Sequence, residues 1–90
     1  MRKDIKGINE GFSSIDEFID NISRGGEIEF EYENKKYSIV HSPIGIHVAE
    51  AYNEDSEKTY IQPSDVIEYR IKGKSLGSII TEIKIDFRCF

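Results

Sequence analysis

"GGEIEFEYENKK", residues 25–36, places glutamate at 27, 29, 31 and 33 and apolar residues at 28, 30 and 32. Successive side chains of a β-strand point to opposite faces, so this spacing predicts a strand over Glu27–Glu33 with four carboxylates on one face, about 6.6–6.8 Å apart. The next residues supply its partner. A turn at Asn34-Lys35 sets Tyr32 opposite Tyr37, Phe30 opposite Ile39 and Ile28 opposite His41, which brings both apolar sets to one face.

Upstream, "FSSIDEFIDNISRGG" carries Ile15, Phe18, Ile19 and Ile22 at i, i+3, i+4 and i+7, the stripe of an amphipathic helix over about 14–24. Ser14 with Glu17 forms a capping box, Asp16 and Glu17 suit the positive end of the helix dipole, and Gly25 and Gly26 provide the left-handed stop. Residues 1–11 mix charge and glycine without periodicity and are expected to be a loose lead-in.

Downstream, Ser42-Pro43 ends the second strand and Gly45 marks a turn. Residues 46–52 read as a third strand, "NEDS" as a polar loop and "EKTYIQ" as a short fourth strand. Pro63-Ser64-Asp65 has the chemistry of a helix start. Leu76, Ile79, Ile80 and Ile83 repeat the helical spacing, which predicts a helix over about 75–83. Ile83, Ile85, Phe87 and Cys89 alternate, so a terminal strand is the competing reading. The expected fold is one α+β domain over residues 1–90: an antiparallel sheet of three or four strands, with an N-terminal helix and one or two C-terminal helices on one face.

Ninety residues bury roughly 60–65% of the unfolded surface, enough for one core but little for a deep active site. A net charge of −5 argues against nucleic acid and anionic membrane as partners and leaves a basic protein as the natural one. Cys89 is the only cysteine, so no intrachain disulfide forms, and the N-terminus lacks the apolar run of a signal peptide. A cytoplasmic protein is expected.

The chemistry-bearing patterns are sparse. His41, His47 and Glu50 match no metal-ligand spacing, and the two histidines fall on opposite faces of the expected sheet. An acid and base pair of the glycosidase kind needs one carboxyl buried and one ionised, whereas alternating glutamates on an open strand are hydrated alike. Cys89 has no histidine near it in sequence. Gly73-Lys74-Ser75 resembles the tail of a phosphate-binding loop, but Glu68 stands where its first glycine is required. No enzyme, metal or cofactor is expected on these grounds.

The glutamate row stands out. Charge on an exposed strand discourages edge-to-edge association, which accounts for it without a partner. Against that, like charges on one face repel by a few tenths of a kcal/mol per neighbouring pair. Residues 9–33 hold eight acidic side chains and one basic, Arg24. Glu27, Glu29, Glu31 and Glu33, with Glu54 and Asp55 at the rim and tyrosines such as Tyr52 and Tyr60 nearby, have the composition of a surface that steers a basic protein into contact.

The short helix, the acidic hairpin "EIEFEYENKKYSIV" and the closing amphipathic segment resemble the small acidic α+β immunity proteins that bacteria encode beside toxins. The likeness lies in architecture and spans most of the chain. It implies a non-enzymatic inhibitor that plugs the active site of a basic nuclease toxin. Two other readings compete: an accessory or regulatory domain, monomeric or a homodimer pairing through residues 57–61, and a small metal- or ligand-binding protein built on His41 and His47.

Overall fold

A computed structural model describes residues 11–89, the side chain of Cys89 excepted, so the expected lead-in lies, up to residue 10, outside the described residues. Helix α1 spans Ile15–Ser23. Ser14 Oγ accepts from the Glu17 N–H at 3.1 Å, and Glu17 Oε1 accepts from the N–H and the hydroxyl of Ser13, one residue before the cap. At the other end Gly25 takes φ 86°, its N–H bonds the Ile22 carbonyl, and the Gly26 N–H bonds that of Asn21. This pair of bonds is the Schellman closure, and φ > 0 at its first glycine is what the glycine provides.

The chain then forms β1 (Glu27–Tyr32), β2 (Lys35–Ser42), β3 (Gly45–Glu50) and β4 (Asn53–Tyr60) as an antiparallel meander, and β7 (Lys84–Cys89) returns beside β1. The sheet has five strands in the order β4-β3-β2-β1-β7, with β1 inside it. Between β4 and β7 lie a 3-10 helix (Pro63–Glu68), a two-residue ribbon of β5 (Arg70–Ile71) and β6 (Lys74–Ser75), and a second 3-10 helix (Leu76–Ile79).

The fold is α+β, but three expectations need correction. The sheet has five strands, because 84–89 forms β7, the competing reading of that segment, while "NEDS" begins the expected fourth strand instead of looping. The expected C-terminal α-helices do not form: residues 63–68 and 76–79 make 3-10 helices only. The first hairpin turns at Glu33-Asn34, so the register is offset by two residues: Phe30 faces Tyr37 and Ile28 faces Ile39. Both turn residues have positive φ, 50° and 69°, the conformation whose twist suits a two-residue hairpin. A shift of two keeps every side chain on its expected face; a shift of one would have exchanged them.

One face of the sheet is therefore buried. Ile28, Phe30, Ile39, Val48 and Ile85 form a single core with Phe12, Phe18 and Ile22 from the helix region and Val66, Ile71, Leu76, Ile79, Ile80 and Ile83 from the C-terminal segment. Phe30 stacks on its cross-strand partner Tyr37 with centroids 5.2 Å apart, and Phe12 meets Phe18 edge-on at the same separation. The other face is left open, and the candidate binding residues of β1 stand there.

Candidate functional site

Register determines which side chains share the open face. β1 contributes Glu27, Glu29 and Glu31, flanked on β7 by Phe87 opposite Glu29 and Lys84 opposite Glu31, and on β2 by Ser38 and Lys36 opposite the same two glutamates. A bulge in β7 between these pairings turns Asp86 to the same side. Glu27 and Glu29 are exposed and Glu31 is half-buried. Glu33 leaves the row, because it lies in the turn and meets Lys72 at 3.7 Å. Glu54 and Asp55 are exposed on the edge strand β4, three strand spacings from β1, about 14 Å.

The row is less uniformly acidic than its sequence. Lys36 Nζ sits 3.2 Å from Glu31 and 2.9 Å from Asp86, and these two carboxylates, Asp86 foremost, hold its ammonium above the usual lysine range. Repulsion along β1 is thus relieved at Glu31 by Lys36, with Lys84 as its cross-strand neighbour on the other side. Glu29 instead faces a serine and a phenylalanine. Among the described residues, the carboxylates at 27 and 29 are the exposed part of the row.

Apolar groups frame them. Phe87 and Val40 are 48% and 39% exposed, and Tyr52 is fully exposed at the β3–β4 turn with φ 63°. A bulky residue at positive φ is costly and is tolerated only where its surroundings demand it. A recess of about 440 Å³ runs from Glu29 past Lys36, Asp86 and Ser38 to Ala51 and Tyr52. Of the other expected tyrosines, Tyr60 is half-buried against the core and does not reach this face.

The histidines separate. His41 lies on the core side with Nε2 3.0 Å from the Gly26 carbonyl, while His47 lies on the open face among Ser42, Glu57 and Thr59. They do not converge on one point, and among the described residues no group of three or more His, Cys, Asp or Glu is placed to hold a metal ion. Ser42, Glu57 and Thr59 were not legible as partners of His47, because only the pairing of β2, β3 and β4 brings them together.

No protein-family model, curated protein or solved structure matches the chain. No helix among the described residues is long and apolar enough to cross a membrane.

Proposed function

We propose that the chain is a protein-binding module whose open sheet face captures a basic partner, acting as an immunity protein that neutralises a cationic toxin such as a nuclease from within the cytoplasm. One observation carries this reading: Glu27 and Glu29 stand exposed between the exposed apolar groups Phe87 and Val40. An apolar centre beside exposed charge is the composition of an interface that gains affinity from burial and association rate from steering. Tyr52, held out at the rim of the recess, offers an aromatic face to a lysine or arginine of the partner. Such a role needs no covalent chemistry from the chain, no metal and no cofactor. Glu54 and Asp55, on the far edge, act at a distance as part of the steering field.

The test is co-production with the product of the adjacent reading frame. The wild-type chain should restore growth to cells producing it. The double variant Glu27→Lys, Glu29→Lys should lose protection, with slower association and a weaker salt dependence in stopped-flow measurements. Unchanged protection and an unchanged on-rate would remove this face from the interface.

A further inference from the structure

We propose that Ser42, His47 and Glu57 form an acyl-transfer triad on the open face, taking small activated esters. Ser42 Oγ lies 2.6 Å from His47 Nε2, and His47 Nδ1 lies 3.0 Å from both Glu57 Oε2 and Thr59 Oγ1. This is the order of groups that activates a serine: nucleophile, base, and an acceptor that orients the base. The tautomer follows from the network. An ionised carboxylate can only accept, so Nδ1 carries the proton and the Nε2 lone pair faces the Ser42 hydroxyl. The ring is held by three strands, its side chain 14% exposed, while Ser42 itself is exposed to an incoming ester.

The sheet explains the assembly. Thr59 is the direct cross-strand partner of His47, and Ser42 lies two residues beyond Val40, the partner on the other side, so the hydroxyl meets the ring on the diagonal. Val40 beside His47 and Ile44 in the turn, 70% exposed, offer apolar surface for a short acyl chain.

In the step, Ser42 Oγ bonds to the ester carbonyl carbon as its proton passes to Nε2, and the carbonyl electron pair moves onto oxygen. The oxyanion collapses, the bond to the alkoxide breaks, and the alkoxide leaves with the proton from Nε2. Acyl-Ser42 and an alcohol result. Water then repeats the sequence, giving its proton to Nε2, forming the acid and returning the proton to Ser42. Pro43 has no N–H, so the residue after the nucleophile cannot supply an oxyanion donor. The Ile44 N–H donates to Ser42 Oγ itself at 3.3 Å, so it steadies the nucleophile and is not an oxyanion donor. Without such a donor both steps are slow, since one oxyanion contact is commonly worth about 10²–10³ in rate. An activated ester with a good leaving group acylates faster than the resulting serine ester hydrolyses, so the acyl group should be detectable on the serine.

The full chain incubated with 4-nitrophenyl acetate or butyrate and mapped by peptide mass spectrometry tests this. Ser42 should carry one acyl group, formed at least about a hundredfold faster than in His47→Gln, the scale of general-base assistance. Glu57→Gln should slow it less, because Thr59 still accepts from Nδ1. If His47→Gln does not fold, Glu57→Gln and Ser42→Ala decide. Acylation of Ser42 no faster than that of the exposed Ser13 overturns the proposal. So does a Ser42 rate indifferent to Glu57→Gln, or ester hydrolysis that persists undiminished in Ser42→Ala.

Discussion

Two segments of this chain carry the same apolar spacing and fold differently. Ile15, Phe18, Ile19 and Ile22 become one side of an α-helix, whereas Leu76, Ile79, Ile80 and Ile83 become a 3-10 helix, two turns and the approach to a strand. The difference lies at the ends. The first segment has a capping serine, a carboxylate reaching back and a Schellman glycine. The second has a weak cap, with Ser75 Oγ accepting from Ser78 N–H at 3.3 Å, and no glycine stop. Burial differs too. Ile15 remains 38% exposed on the helix, whereas all four apolar residues of the second segment are at most 2% exposed. A stripe read from sequence states which residues are buried; the caps state whether a helix buries them.

The largest effects should therefore be equal in kind on both sides. Phe18→Ala should cost about 3–5 kcal/mol and Leu76→Ala about 2–5 kcal/mol, since each side chain is fully buried in the one core. Urea denaturation measures both. A Leu76→Ala cost close to zero would make the second segment a surface coil and break the comparison.

Glycine substitution separates the segments by sign. Were 75–83 an α-helix, Gly77→Ala would stabilise by roughly 0.5–1 kcal/mol. In the observed 3-10 helix an added Cβ lies 3.0 Å from Ile67 Cβ, an atom fixed to the backbone, so overpacking of about 1–3 kcal/mol is expected instead. Gly25→Ala meets no neighbour within 4 Å and should cost about 1–2 kcal/mol from φ 86° alone. Thermal or urea midpoints of the two variants show whether sign and cause agree.

The same logic explains what the sequence disclosed. Helix α1 and the faces of β1 were legible because periodicity and caps agreed there. The hairpin register was misplaced by two residues because the turn puts a glutamate at positive φ, which pattern does not favour. The first half of β4 was hidden for another reason: an edge strand reading Asn-Glu-Asp-Ser has little burial to impose alternation, and only Ser56 and Tyr60 of the strand's residues are half-buried. Of the open face, Glu27 and Glu29 were legible, whereas the pairing of Glu31 with Lys36 depended on the turn. The network at His47 required two correct registers at once, and no local signal carries that information.

Removing the cap tests the end signals themselves. Ser14→Ala should cost about 1 kcal/mol, the usual worth of an N-cap hydroxyl, read as a shift in urea midpoint. Ser75→Ala should cost less, because its contact is longer and begins a 3-10 helix of four residues. Equal costs would mean that cap strength does not distinguish the two segments.

The smallest effect concerns the carboxylate that ties the helix to the last strand. Glu17 accepts from Ser13 at one oxygen and from Arg88 Nη2 at the other, 3.2 Å away; Arg88 also donates to Asn21 and lies 4.5 Å over the Phe12 ring. The Ser13 N–H first, then the Ser13 hydroxyl and Arg88, lower its pKa from the usual 4.5 against a partial desolvation that raises it. A carboxyl whose pKa is depressed on folding contributes stability that is present above its unfolded pKa and is lost as the pH falls through the folded one. The side chain is 38% exposed, so solvent screens the interaction and the contribution is small. Glu17→Gln should accordingly destabilise at neutral pH, and its deficit relative to wild type should shrink once the pH drops below the carboxylate range. Paired urea titrations across that range measure the difference. A deficit that stays constant with pH would show that the side chain holds α1 to β7 by shape and hydrogen bonding, not by its charge.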